Sequence, residues 1–413
     1  MIVKGFPSVI NGKVEAPQSK SIGIRLIFFS LLTDIELENL VLSEDVKSAL
    51  NAVKSLGVSV EFEGNKVKLQ RKGNEEIKEV YVGGSGTTLR FLLPIAAILG
   101  KRLSIDGDET LRRRPISAFL RAVKGVSISS EKLPLTIEGR LDVNNISIDG
   151  SESSQYISGF IIGFCMIGEG RISIIPPISS KSYILLTINL LNSLGAKIKF
   201  YESENIIEIR CGKINKYAGR VPGDYALSSY YALSSLFTGG KLRISNLYAP
   251  YDFFGDHSIV EIYHKMGAIS YYKEGEWVIE SKNEYYNINI DVDDAPDLAP
   301  SIAPLSAIAL GESKITGVRR LRIKESDRIL TISETLRAFG VKVKEGNNEL
   351  IIIGSKELHS GSIICPKDHR IAMMATPFIL KLGGTIGEAE CVNKSNPNFW
   401  IDIKKIGGRI EIV

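Results

Sequence analysis

Nine short stretches of this 413-residue chain hold the side chains best suited to chemistry. PQSKSIGIR sets Lys20, Ser21 and Arg25 at a helix start, where free backbone N–H groups and the helix dipole already favour an anion. GGSGTTLR offers Gly84 and Gly86, which let backbone approach a ligand closely, followed by Thr87 and Arg90. In RRRP, the run Arg112, Arg113 and Arg114 could grip a phosphate through a guanidinium fork. The hydroxyls of Ser153 and Ser154 and the amide of Gln155 in GSESSQ suit neutral hydrogen bonds to a phosphate or a polyol, and Ser180, Lys181 and Tyr183 in SSKSYI extend that theme. KESDR supplies Lys324, Glu325 and Arg328, DHR supplies Asp368, His369 and Arg370, and NKSNPNFW supplies Lys394. Asp297 in APDLAPSIA lies among apolar and small residues, a setting expected to raise a carboxylate's pKa towards the range of a general base. Each stretch also has an ordinary explanation as a capped helix, a solvated basic face or a set of helical ion pairs.

Position separates the two readings. A helix-like segment, a glycine and a hairpin-like pair of alternating apolar runs recur six times, as in NAVKSLGVSVEFEGNKVKL and ETLRAFGVKVKEGNNELIIIG. The glycines are Gly57, Gly125, Gly195, Gly267, Gly340 and Gly407, about 70 residues apart, each where a helix should end in a left-handed cap. Between hairpins the pattern predicts a strand, a turn of small residues, an apolar helix, another strand and the next helix, so the unit is βαβαββ. Helices are predicted to begin at PQSKSIGIR, GGSGTTLR, GSESSQYI, GDYALSSYY, APDLAPSIA and PKDHRIAMM. Most of the chemically capable residues therefore occupy corresponding places in the repeat, and folding is expected to aim them at one shared cleft. Many cations and a few carboxylates in such a cleft suit small, multiply charged anions.

Six such units exceed one core, so two α/β globes of three units each are expected, with chain crossings near 13 and 220. One globe would hold residues 14–220 and the other 1–13 with 221–413. The 51 Lys+Arg against 47 Asp+Glu leave a charge too mild for wholesale binding to nucleic acid or membrane surfaces. Cys165, Cys211, Cys365 and Cys391 are far apart and make no metal-binding spacing, consistent with a reducing cytoplasm and with no bound metal. No signal-like N-terminus or stretch long enough to span a bilayer is evident.

Taken in order, PQSKSIGIR, GGSGTTLR, RRRP, GSESSQ, SSKSY, APDLA, KESDR, DHR and the final Lys-x-x-Pro resemble the motifs of the 5-enolpyruvylshikimate-3-phosphate (EPSP) synthases over nearly the whole chain. The resemblance implies an α/β (α+β) protein of two globular domains, each of three βαβαββ units, in the inside-out α/β barrel architecture of enolpyruvyl transferases. It implies transfer of the enolpyruvyl group of phosphoenolpyruvate to the 5-hydroxyl of shikimate 3-phosphate, through a tetrahedral intermediate, by a cytoplasmic monomer without cofactor. Carried over by motif, Lys20, Ser21, Arg25, Ser153, Ser154, Gln155, Ser180, Tyr183, Asp297 and Lys324 would hold shikimate 3-phosphate. Lys20, Gly86, Arg90, Arg114, Gln155, Arg328, Arg370 and Lys394 would hold phosphoenolpyruvate, with Asp297, Glu325 and Lys20 as the proton-handling groups.

Gly86 also implies inhibition by glyphosate, because resistant forms in the family carry a larger residue there. Ile24 and Phe91 depart from the family pattern beside Arg25 and Arg90, and Arg320 stands where an Asn usually meets the shikimate ligand. Two rival readings remain. One is the related UDP-N-acetylglucosamine enolpyruvyl transferase, against which the Cys-free stretch DGDETLRRRP counts. The other is a non-catalytic repeat protein that binds anions or nucleic acid, against which the near-balanced charge counts.

Overall fold

Helices that are apolar on nearly every face must be surrounded, and among the described residues six helices are of that kind. They are Lys20–Phe29, Gly86–Leu99, Ser154–Ile167, Tyr225–Thr238, Ala299–Ala307 and His369–Leu382, one for each helix start read from the sequence. All of Tyr225–Thr238 is buried, down to its serines; the hydroxyls of Ser229 and Ser234 turn back onto helix carbonyls, to Ala226 O and Tyr230 O. The computed structural model describes residues 1–73 and 78–413.

Among the described residues, six four-stranded sheets share one strand order. Asn145–Asp149 runs parallel to Glu169–Ile175 across the buried helix Ser154–Ile167, and the hairpin Lys197–Tyr201 with Ile206–Arg210 completes that sheet antiparallel. Strand side chains alternate between buried and accessible, as in Lys241–Ser245, because one face of each sheet packs on the helices. The second helix of each unit ends short of one of the six repeat glycines, whose φ values lie between +78° and +102°. Only glycine takes that conformation without strain, so the 70-residue period of the sequence is a period of helix C-caps.

The chain divides into two compact units, Met1–Ser19 with Pro222–Val413, and Lys20–Val221. The helices of the second unit approach closely: a Cβ on Gly159 would lie 2.8 Å from Arg90 O, so Ser154–Ile167 can rest against Gly86–Leu99 only with glycine there. In the first unit Phe378 packs between Phe237 and Phe339, with ring centroids 4.7 and 4.6 Å away, stacked on Phe339 and tilted to Phe237, joining two buried helices to the end of a third.

Three strands come from distant sequence. Tyr217–Arg220 runs parallel to Ile35–Glu38 in the second unit, and Gly12–Glu15 runs parallel to Lys241–Ser245 in the first. Ile2–Phe6 lies between Gly384–Gly387 and Arg409–Ile412, supplying the hairpin strand that the sixth repeat lacks. These pairings move the first crossing from the expected position near 13 to Ser19. Gly12–Glu15 belongs to a sheet of the first unit, and Ser19 N donates to Pro222 O at 2.7 Å, which holds residues 14–19 there.

The cysteines require a correction. The structure pairs Cys165 with Cys211 and Cys365 with Cys391, at Cα separations of 5.0 and 6.8 Å, although 46 and 26 residues part them in sequence. Their spacing along the chain is therefore no argument for reduced thiols. No helix among the described residues is long and apolar enough to cross a membrane.

Candidate active site

In the first unit the motif residues converge on Asp297. It lies in the single turn Pro296–Leu298 that leads into Ala299–Ala307. Its carboxylate accepts from Arg328 Nη1 at Oδ1 (2.8 Å) and from Arg370 Nη2 at Oδ2 (2.8 Å), and Lys324 Nζ lies 3.5 Å from Oδ1. Arg328 is 1% exposed and starts the helix Arg328–Ala338, which Asp327 caps by accepting from Leu330 N. Its guanidinium also reaches Glu325 Oε2 at 2.7 Å and Asp368 Oδ2 at 2.7 Å. Asp368 in turn caps His369–Leu382 by accepting from Arg370 N. Lys394, at the end of the turn Ala389–Lys394, stands 3.8 Å from Glu325 Oε1. Arg370 Nε and Nη1 are buried and meet no acceptor in hydrogen-bonding geometry among the described residues.

The electrostatics reverse one expectation from the sequence. Burial by itself would raise the pKa of Asp297, but Arg370, Lys324 and Arg328 together hold it well below the ordinary carboxylate range. Its apolar sequence neighbours do not govern it, because the groups that touch it come from other segments. Burial acts on Lys324 in the opposite sense, lowering its pKa to about 8 despite the attraction of Asp297. Arg320 donates from Nε to Asp293 Oδ1 (3.2 Å) and from Nη2 to Asp293 O (2.5 Å), so the carboxylate it meets belongs to the same unit, 27 residues earlier in the chain.

The second unit gathers a different set. Gly86 begins the helix Gly86–Leu99 and Ser153 caps the helix Ser154–Ile167, with its hydroxyl accepting from Gln155 N. Gln155 ties these two helix starts together, accepting from Arg90 Nη1 at 3.1 Å and donating to Thr87 Oγ1 at 2.8 Å. A Cβ on Gly86 would lie 2.6 Å from Arg90 Nη1 and 3.0 Å from Arg114 Nη1, so both guanidiniums crowd the bare backbone of that turn. Ser154, the first residue of its helix, is buried.

Arg25, 1% exposed, donates to Thr187 Oγ1 (2.7 Å), Ser21 O (2.8 Å) and Tyr183 O (2.9 Å), and it lies 5.4 Å from the Phe91 ring centroid. It thereby fixes the backbone of two other predicted ligands, and the unusual Phe91 is its packing partner. Ser180 adopts the left-handed conformation, φ 54°, at the start of Lys181–Ser193. Lys20 pairs with the buried Asp45 at 3.0 Å.

Asp45, Thr187 and the counter-ion role of Asp368 were not legible in the sequence. Asp368 had a local signal as a helix cap before an apolar run, whereas nothing in the spacing links Lys20 to Asp45 or Arg25 to Thr187. Among the described residues no group of three or more His, Cys, Asp or Glu is placed to hold a metal ion.

The family model for EPSP synthase (3-phosphoshikimate 1-carboxyvinyltransferase) matches residues 6–403. The chain belongs to this family. A 3-phosphoshikimate 1-carboxyvinyltransferase of Sulfurisphaera tokodaii is 53% identical over 413 residues, and one of Saccharolobus islandicus is 50% identical over 418, each alignment covering both chains in full. Two solved EPSP synthase structures from Acinetobacter baumannii have the same fold, with TM-scores of 0.82 and 0.81 over the whole of both chains at 24% and 22% identity. Within the EPSP synthase fold, Arg328 is the group on which three carboxylates depend. Arg328→Met should therefore destabilise the protein by about 3–5 kcal/mol, since it leaves buried carboxylates without their shared cation. The chemical-denaturation midpoint checks this, and a wild-type midpoint would show the network to be dispensable.

Proposed function

We propose a division of labour among these residues for the family's reaction, the transfer of the enolpyruvyl group of phosphoenolpyruvate to the 5-hydroxyl of shikimate 3-phosphate in aromatic amino acid biosynthesis. The observation that carries it is the Asp297 carboxylate held by Arg328, Arg370 and Lys324. Addition of an alcohol across the enol double bond needs a proton taken from oxygen and one delivered to the methylene carbon. Asp297, ionised and ready to accept, is the base for the 5-hydroxyl. It is a weak base while three cations hold it. The carboxylate and phosphate of phosphoenolpyruvate compete for Arg328 and Arg370, and each guanidinium they draw away makes Asp297 more basic.

The proton for the methylene carbon comes from Glu325, or from Lys20 as its rival. The tetrahedral adduct then expels phosphate and loses a methyl proton, which restores the double bond, while Lys394 and the arginines stabilise the departing charge. Lys20, Ser21, Arg25, Ser153, Ser154, Gln155, Ser180, Tyr183 and Lys324 serve shikimate 3-phosphate in this reading. Gly86, Arg90, Arg114 and Gln155 serve phosphoenolpyruvate together with Lys20, Arg328, Arg370 and Lys394. All of these residues lie in one chain, so a monomer suffices. Both substrates are phosphorylated anions that do not cross membranes unaided, which favours the cytoplasm.

Phosphate release from phosphoenolpyruvate should require shikimate 3-phosphate and fall at least a thousandfold in Asp297→Asn, which keeps the shape but cannot take a proton. Release driven by UDP-N-acetylglucosamine instead would support the rival enzyme, and no release with either acceptor would end both readings.

Lys324 carries its charge below about pH 8 and loses it above, so an anionic substrate loses a partner as pH rises. The ratio kcat/KM for shikimate 3-phosphate should decline through pH 8, and Lys324→Arg should move that limb beyond pH 9.5. A limb unmoved by the substitution would rule Lys324 out as its source.

Glyphosate should compete with phosphoenolpyruvate. In Gly86→Ala the new methyl group displaces Arg90 and Arg114, so the inhibition constant should rise at least tenfold. Inhibition that is not competitive would refute the shared site.

A further inference from the structure

The residues that hold Lys394 in place are not in any of the nine motifs, apart from Asn396, which lies within the Lys-x-x-Pro stretch. Asn396 Nδ2 donates to Tyr231 Oη at 2.8 Å, and Tyr231 Oη donates to Asp402 Oδ2 at 2.7 Å. The direction of this chain is fixed chemically. A carboxylate only accepts, so the single phenolic proton points at Asp402 and the phenol oxygen receives the Asn396 amide. Tyr231 lies within the fully buried helix Tyr225–Thr238, and its ring stacks on Phe399 at 5.5 Å and 18°. Asn396 is 4% exposed, and Asp402 is on the helix Phe399–Lys405. Three segments thus meet at one hydroxyl: a rigid core helix, the turn that carries Lys394 and the helix that follows it.

Before Lys394 the turn is held by apolar burial, with Val392 0% exposed in the core; polar anchors close to the lysine are few among the described residues. Asn396 N and Ser395 N donate to Val392 O at 2.8 and 3.2 Å, which shapes the turn without anchoring it to another element. Ser395 Oγ is buried and makes no hydrogen bond among the described residues. Trp400 Nε1 donates to Ala389 O at 3.0 Å, and Cys391 is bonded to Cys365, but both tie the far end of the turn. The bond from Asn396, two residues beyond Lys394, secures the near end. A hydrogen bond inside a dry core is worth more than one in water, and its loss leaves a buried amide unsatisfied.

We infer that Tyr231 is a positioning residue for phosphoenolpyruvate, acting through Asn396 to set the ammonium of Lys394 against its anion. The inference rests on the assignment of Lys394 to phosphoenolpyruvate made above. It touches neither substrate. Its hydroxyl determines where the Lys394 turn sits relative to Glu325 and Arg328, and a shift of about an ångström at a charged ligand is enough to lower binding severalfold.

Five variants of the full-length enzyme test this. Tyr231→Phe should raise KM for phosphoenolpyruvate five- to tenfold, with KM for shikimate 3-phosphate and kcat within twofold of wild type. Asn396→Ala should give the same split and serves as the second route should Tyr231→Phe fold poorly. Asp402→Asn, which still accepts from the phenol, should stay within twofold of wild type. In a Lys394→Met background, Tyr231→Phe should cause no further rise in KM for phosphoenolpyruvate.

Equal losses for both substrates would reduce Tyr231 to a structural role. Effects of Tyr231→Phe and Lys394→Met that multiply would show it does not act through the lysine. If Lys394→Met alone leaves KM for phosphoenolpyruvate unchanged, the assignment of Lys394 is wrong and the inference falls with it. If that variant raises KM while Tyr231→Phe and Asn396→Ala do not, the assignment stands and only the inference fails.

Discussion

Arg328 is almost wholly buried, and a buried cation must be compensated by partners that the fold brings to it. Asp297, Glu325 and Asp368 all bond to its guanidinium, and they come from three separate segments of the first unit. Meeting that requirement puts the start of the helix His369–Leu382, the turn before Ala299–Ala307 and the start of Arg328–Ala338 in one place. Arg370 and Lys324 are attached to Asp297, and Lys394 stands beside Glu325. Four cations against three carboxylates leave one positive charge, so the cluster is stable without ligand and still attracts an anion. An anion that drew Arg328 or Arg370 away from Asp297 would make that carboxylate more basic.

The second unit solves the matching problem with fewer charges. Gln155, Ser153 and Thr87 offer neutral hydrogen bonds around the starts of two buried helices, and only Arg90 and Arg114 add charge beside the bare Gly86 turn. Neutral groups of this kind offer hydrogen bonds without a strong pull of charge, whereas paired charges dominate the cluster of the first unit. Arg25 is a conspicuous charge held firmly by its surroundings: it donates to Thr187 and to the carbonyls of Ser21 and Tyr183, which ties the backbone at those two residues together.

The repeat makes both arrangements possible. A buried helix whose N-terminus follows a strand delivers its first-turn residues to the same end of every unit, and three such helices packed together gather three sets of first-turn residues. The exchange of Gly12–Glu15 and Tyr217–Arg220 gives each unit a strand from the sequence preceding the other unit's first helix, and Ile2–Phe6 closes the sixth sheet. Every sheet is thereby completed to four strands although the repeat is out of phase with the ends of the chain.

The sequence by itself determined what is local. The 70-residue period, the six glycine caps and the six buried helices follow from hydrophobic pattern and backbone preference within a dozen residues, so all were legible, as was each motif's place at a helix start. Tertiary structure alone decided which charges meet. APDLAPSIA suggested a carboxylate with a raised pKa, and Arg370, Lys324 and Arg328, distant in the chain, lowered it instead. The pairing of Lys20 with Asp45, of Cys365 with Cys391 and of Asn396 with Tyr231 was invisible for the same reason. Coulomb energy and desolvation depend on distance and burial in space, and the chain's own order records neither until it has folded.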